Sequence, residues 1–282
     1  MHILFDIGGT KTRIAFTKDG KQFSEPKVVR TPERFEDGIE LFTSIIADIS
    51  KVEEIESATG GIAGSLDKNH SAMIRSSHIA GWAGRPLKKI LEDIIRVPVF
   101  IENDSAMVGL GEMKYGAGRG FDIGVYITIS TGIGGARYVD GKIDKNTFGF
   151  EPGHQIIKAE ETEVCLSCGS KGCLESLVSG YAVHERFGKH PREIQNQKLW
   201  KELAKLFSYG LYNTILHWSP DAVILGGSMI TGDPAISVDD IKLYLKENMK
   251  IFQEIPEIKK AELGDFGGLY GAMEYLRQKG VL

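Results

Sequence analysis

Cysteine is scarce in this chain, which has only Cys165, Cys168 and Cys173, all inside CLSCGSKGC. An odd number of thiols excludes a complete disulfide framework. The opening MHILFDIGG has no basic stretch followed by a long apolar run and a small-residue cleavage site, so no secretory leader is expected. No uninterrupted apolar run is long enough to predict a membrane-spanning helix. Neither sign of charge dominates: 34 Lys and Arg face 38 Asp and Glu, a formal net charge of −4. The basic residues are scattered, so no patch points to nucleic acid. A cytoplasmic, reducing compartment is the expectation, and there clustered thiols more often hold a metal than each other.

Two familiar phosphate motifs are also missing. No Gly-Lys pair is followed by Ser or Thr, which removes the P-loop. Gly132 and Gly134 are followed by Arg137 where a dinucleotide fingerprint needs its third glycine. What is present is a doubled pattern. In ILFDIGGTKTRIAFTKDGK an apolar run meets Gly8, Gly9 and Thr10, continues into RIAFT and turns at Asp19-Gly20. About 120 residues later, IGVYITISTGIGGARYVDGKI repeats the unit and turns at Asp140-Gly141. Asp-Gly between alternating segments is a hairpin signal. Either glycine turn alone fits an ordinary hairpin; the matched pair predicts two similar lobes whose turns expose backbone N–H groups to phosphate. With 282 residues, about two domains are expected.

Between the repeats, the apolar strand Val97 to Ile101 stops at Glu102-Asn103-Asp104, and a short helix follows. Asn and Asp are good helix caps, which accounts for one of the three. Three polar residues together at a strand end also suit the ligand-binding edge of an open α/β sheet. Thr31-Pro32 followed by Phe35, Ile39, Phe42, Ile46 and Ile49 predicts a capped amphipathic helix. Leu199 to Trp218 repeats that period, with core residues at Leu203, Leu206, Leu211 and Ile215. DAVILGGSM reads as a buried strand ending in Gly226 and Gly227, and LGDFGGLYGAMEYL as a helix packed through small residues.

Three thiols leave one position of a tetrahedral zinc site open, and His154 in GFEPGH is the nearest candidate. His154, Cys165, Cys168 and Cys173 together would leave no place for a metal-bound water, so the metal would be structural. Gly169 and Gly172 allow the tight turn that this needs. The other histidines, among them His70, His190 and His217, stand alone in sequence and read as ordinary.

In order along the chain, DIGGTKT, GGIAGSLD with HIAGW, IENDSAMVGLGE, STGIGG, EPGH, CLSCGSKGCLES, VILGG and LGDFGGLYGA resemble the ROK family of sugar kinases and sugar-responsive repressors. The resemblance implies an α/β, two-lobed, actin-like (ribonuclease H-like) fold with nucleotide and sugar in the cleft. It implies an N-terminal lobe over 1–115, a C-terminal lobe over 116–265 and a last helix, 266–282, returning to the first lobe. Asp104 would be the general base. Asn103, Glu151, His154 and Glu175 would bind sugar hydroxyls, with Gly61 and His78 also on the sugar side. Asp6, Gly8, Gly9, Thr10 and Lys11 would meet Mg2+ and the transferring phosphate. Thr131, Gly132 and Gly134 would take the other phosphates of ATP, and Gly226 and Gly227 would lie near the adenosine. Zinc would be held by His154 and the three cysteines.

Three departures from the family pattern bear on these roles. Cys165-Leu-Ser-Cys168 is one residue longer than the usual C-x-C, His78 replaces an Asn, and Ala63 replaces a proline. The implied activity is ATP-dependent phosphorylation of a glucose-like hexose at a primary hydroxyl. An N-acetylmannosamine or N-acetylglucosamine kinase is the alternative, and a non-catalytic sugar sensor a further one. A repressor is disfavoured because Asp6 follows Met1 without room for a DNA-binding module. A homodimer without nucleic-acid or membrane partners is expected.

Overall fold

The structure is a computed structural model that describes residues 1–51, 53–76 and 79–282; of Ser50 only the backbone is described. It contains two compact units. The first is Met1–Lys114, Lys145–Gly149 and Leu263–Leu282; the second is Tyr115–Asp144 and Phe150–Glu262. Residues 145–149 go with the first unit although the rest of the stretch from Tyr115 to Glu262 belongs to the second.

The first unit opens with β1 (His2–Ile7), β2 (Lys11–Thr17) and β3 (Lys27–Arg30), followed by α1 (Phe35–Ser50). Next come β4 (Ser57–Ile62), the short pair β5 (Ser65–Leu66) and β6 (Met73–Arg75), and α2 (Leu87–Ile95). β7 (Val99–Asn103) leads directly into α3 (Asp104–Tyr115). The sheet order is β3-β2-β1-β4-β7. β1 pairs antiparallel with β2 and parallel with β4, which is parallel to β7. All six residues of β1 are buried, as expected of a central strand covered on both faces. Phe5, Phe42, Trp82 and Leu91 anchor this unit's core. Burial of each such side chain stabilises by roughly 1.5–3 kcal/mol.

The second unit repeats the plan. β8 (Ile123–Ile129), β9 (Ile133–Val139) and β10 (Lys142–Ile143) are followed by α4 (Leu174–Val178), α5 (Gly180–Phe187) and α6 (Gln197–Trp218). β11 (Ala222–Gly226), α7 (Ser228–Thr231), α8 (Val238–Asn248) and β12 (Glu257–Lys260) complete it. Its order, β10-β9-β8-β11-β12, has the same pattern of antiparallel and parallel neighbours as the first sheet. The duplicated glycine pattern therefore marks a duplicated sheet. Leu203, Phe207 and Leu211 of α6 share a core with Val125 and Ile127 of β8 and Val223 and Leu225 of β11. The chain ends with α9 (Gly267–Gln278), which packs on β1, β2 and β4 of the first unit.

Two local expectations are corrected. Thr31 does not cap α1. Arg34 occupies that position without a side-chain hydrogen bond, while Thr31 Oγ1 donates to the Gly8 carbonyl at 2.7 Å and pairs with Thr12 Oγ1 at 3.0 Å. The threonine hydroxyl braces the first glycine turn instead. Asp19-Gly20 does not make a two-residue hairpin either, since β2 ends at Thr17 and β3 begins at Lys27. Thr17 Oγ1 captures the Gly20 N–H at 3.0 Å, and Ser24 Oγ captures the Phe16 N–H at 3.1 Å, widening the connection. Asp140 and Gly141 do form the tight turn, both with positive φ, 52° and 69°, as a type I′ hairpin requires.

Candidate functional site

In the first unit, three parallel strands deliver polar residues to one end of the sheet. Asp6 of β1 is in register with Gly61 of β4, and Gly61 with Glu102 of β7; Asn103 and Asp104 follow at the β7–α3 junction. A Cβ on Gly61 would lie 2.8 Å from the Asp104 Cα, so glycine is what lets α3 begin against β4. Asn103 Oδ1 accepts the Ala106 N–H at 3.0 Å, and its Nδ2 donates to the Gly64 carbonyl at the same distance. Asn103 is thus the helix cap, which fixes its amide. Asp104 Oδ1 accepts the Ser105 N–H at 2.7 Å.

Asp6 is buried, and burial lifts its pKa to about 7. Arg13 opposes this through a 3.0 Å hydrogen bond to Asp6 Oδ2, while the nearby charges of Asp104 and Asp265 add to the rise. A Cβ on Gly268 would come 2.8 Å from the Asp6 carboxyl carbon, so the start of α9 closes over this residue. Gly8 through Thr10 form the β1–β2 turn, where the Gly8 N–H donates to the Lys11 carbonyl at 3.0 Å. Lys11 lies 3.8 Å from Asp265.

In the second unit, the ends of β8 and β11 are adjacent, with Gly226 opposite Thr128. Thr131 and Gly132 form the β8–β9 turn and Gly134 lies in β9. The Gly180 and Tyr181 N–H groups donate to the Ser130 and Thr131 carbonyls at 2.7 and 3.1 Å, anchoring the turn to the start of α5. Gly227 has φ +85°, and a Cβ there would meet the Ile129 carbonyl oxygen at 2.3 Å. The two glycines let β11 end close against β8.

The same unit gathers His154, Cys165, Cys168 and Cys173, whose candidate ligand atoms all lie within 4.8 Å of one another. His154 Nδ1 is 3.9 Å from Cys165 Sγ, and the Cys168 and Cys173 sulfurs are 4.0 Å apart. Tetrahedral zinc with sulfur and nitrogen ligands needs separations of roughly 3.5–3.8 Å, so these two pairs need only a small contraction, within a cluster that would have to draw in as a whole. The loop is closed by isolated bridges between Ile156 and Cys173 and between Val164 and Lys171. Gly172, at φ +66°, leaves no room for a Cβ, which would sit 1.9 Å from the Lys158 carbonyl oxygen. The extra residue in the first cysteine pair therefore does not keep Cys165 out of the cluster. His154 Nε2, the other ring nitrogen, points toward Glu151 at 3.7 Å. Hydrogen bonding to Cys165 raises the His154 pKa to about 9 against its burial. Cys173 and burial push the Cys165 thiol to about 12. Metal uptake would displace these protons.

Glu175, at the start of α4, accepts the Ile133 N–H at 2.8 Å and lies 3.6 Å from Cys165 Sγ. His78 lies outside the described residues. His70, which read as an ordinary histidine, pairs with Glu102 at 3.2 Å. No sequence signal joins these residues, because the contact is between a turn and a strand far along the chain.

The ROK family profile matches residues 3–279. The chain belongs to the ROK family, on its sugar-kinase side. It is 25% identical to a glucokinase from Streptomyces coelicolor, over 97% of this chain and 96% of that one. It is 23% identical to an N-acetyl-D-glucosamine kinase from Escherichia coli, over 96% and 98% of the two chains. Its fold matches that of a Streptomyces griseus ROK glucokinase in complex with glucose and AMPPNP, with TM-score 0.81, 27% identity, and 98% and 99% coverage. Among the described residues no helix is long and apolar enough to cross a membrane.

Proposed function

We propose that this protein phosphorylates a glucose-like hexose at its primary hydroxyl, with ATP as donor. The observation that carries the reading is the strand-end arrangement of the first unit, where Asp104 follows the immobilised Asn103 and stands near the buried Asp6. A carboxylate held there is suited to take the proton of a sugar hydroxyl as its oxygen attacks the γ-phosphorus and ADP departs. Asn103 retains one amide hydrogen for a sugar oxygen, and Gly61 supplies backbone beside it.

Glu151, His154 and Glu175 would hold further hydroxyls. Asp6 with Gly8, Gly9, Thr10 and Lys11 would face the transferring phosphate, Thr131, Gly132 and Gly134 the others, and Gly226 and Gly227 the adenosine. Mg2+ arriving with the nucleotide would neutralise charge on the β- and γ-phosphates. Zinc fits the donor set of His154, Cys165, Cys168 and Cys173, and with four protein ligands it would be structural. Bound through Nδ1, it would leave the Nε2 of His154 protonated and free to donate to a sugar.

The N-acetylglucosamine kinase relative supports a second reading in which the acceptor is an N-acetylhexosamine. An ADP-release assay with Mg-ATP and zinc-loaded protein, across hexoses and N-acetylhexosamines, separates the two. Turnover with glucose or a close epimer is expected. Preference for an N-acetylated sugar would favour the second reading, and no turnover with any sugar would remove both.

A further inference from the structure

Glu102 immediately precedes Asn103 and Asp104, yet it is a buried carboxylate, 8% exposed. Such a group persists only with charge and hydrogen-bond partners. Among the described residues it has three, each from a different place. Its Oε1 accepts the Asn103 backbone N–H at 2.9 Å. Its Oε2 lies 3.2 Å from His70 Nδ1. The Tyr275 hydroxyl of α9 also hydrogen-bonds to it.

His70 belongs to the turn between β5 and β6, and that turn is built to present it. Asp67 accepts the Ser71 and Ala72 N–H groups at 2.6 and 3.0 Å and the Ser71 hydroxyl at 2.7 Å. The His70 N–H donates to the Asp67 carbonyl at 2.9 Å, and its φ is +49°. A left-handed backbone at a residue other than glycine persists only where its surroundings hold it. The ring also hydrogen-bonds to the Ile101 backbone, one residue before Glu102.

We propose that His70 is a positioning residue: its ion pair with Glu102 sets the strand-to-helix step that presents Asn103 and Asp104. The inference rests on the reading of Asp104 as the base. The contact works through the backbone. With Oε2 held by His70, Oε1 stays on the Asn103 N–H, and Asn103 in turn caps α3 and grips Gly64. Loss of the charge on His70 frees Glu102 to turn away and loosens the first residues of α3. Among the described residues, the charged groups facing the imidazole are Glu102 from β7 and Asp67 from its own turn; Tyr275 faces Glu102 from α9. Hydrogen bonding to Glu102 raises the His70 pKa above its ordinary 6.5, against its burial. The pair is therefore present below that raised value and is lost as the pH rises through it.

The test is steady-state kinetics of the full chain carrying His70→Gln, Glu102→Gln, both together, Tyr275→Phe or Asp104→Asn, from about pH 6 to about pH 9. His70→Gln is expected to lower kcat on the order of 10- to 100-fold at neutral pH, with KM for ATP unchanged. It should also lack the alkaline fall in kcat expected of the unaltered protein. The double variant should be no slower than the worse single one, and Tyr275→Phe should keep the alkaline fall. Unaltered kcat and pH profile in His70→Gln would overturn the proposal, as would losses that multiply in the double variant. Imidazole NMR titration of the unaltered protein gives a reading that no folding defect can obscure: titration of His70 at or below its ordinary value would also overturn it. Full turnover in Asp104→Asn with a slow His70→Gln would remove the base reading and leave His70 positioning the Asn103 step. An inactive Asp104→Asn with a normal His70→Gln would remove this proposal alone.

Discussion

Glu175 joins two parts of the second unit: its Oε2 accepts the Ile133 backbone N–H at 2.8 Å, and its Oε1 lies 3.6 Å from the sulfur of Cys165. Ile133 follows the Thr131-Gly132 turn directly, so the carboxylate links the thiol cluster to the turn proposed to meet phosphate.

Metal removal is therefore expected to affect more than stability. Dialysis against a strong chelator should lower the thermal midpoint and weaken both sugar and ATP-analogue binding, with zinc restoring all three. Calorimetric titration before and after chelation checks this. Unchanged sugar affinity in the metal-free protein would count against the role given to His154.

Asp104→Asn should leave the fold and sugar affinity intact and lower kcat by roughly 10²–10⁴-fold, the usual contribution of a positioned general base. Single-turnover phosphorylation together with equilibrium sugar binding separates the two effects. Turnover at the original rate would take Asp104 out of the role.

Asp6 should make the nucleotide-free protein sensitive to pH. Its native pKa of about 7, lifted chiefly by burial, lies above the ordinary 3.8. The native state therefore holds a proton that the unfolded chain has lost, and stability rises as the pH falls from about 7 toward about 4. Asp6→Asn should stabilise by on the order of a few kcal/mol above pH 7 and have little effect near pH 4. Urea melts at both pH values would show it, and equal effects at the two would contradict it.

The packing of α9 on α3 is a separate, purely structural test. A Cβ on Gly271 would stand 1.7 Å from the Met107 carbonyl oxygen, and one on Gly111 would stand 2.4 Å from the Gly267 carbonyl oxygen. Both obstacles are backbone, so the helices must separate. Gly271→Ala should cost about 1–3 kcal/mol or more in a denaturant melt. The double variant should fall short of the sum, because one separation relieves both clashes.

Much of this was legible in the residues because it depends on local geometry. The paired glycine turns, the strand ending in Glu102-Asn103-Asp104 and the apolar periods of α1 and α6 all carry their reason within a few positions. The cysteine spacing pointed to one loop, although only the folded loop shows Cys165 entering the cluster despite its longer spacing. Thr31 misled for the converse reason. A threonine before an apolar period is a cap by pattern, but the Gly8 carbonyl and Thr12 offered its hydroxyl partners that no pattern contains.

The sequence by itself determined the repeated strand-turn-strand plan, the burial of its central strands and the donor types of the candidate metal site, since these follow from side-chain period, glycine freedom and donor chemistry. Only the tertiary structure decided that His70 meets Glu102, that Glu175 bridges Cys165 and Ile133, and that burial near Arg13 and Asp104 sets the charge of Asp6. Those relationships join residues distant along the chain, and their energies depend on distance and desolvation, which exist only after the chain has folded.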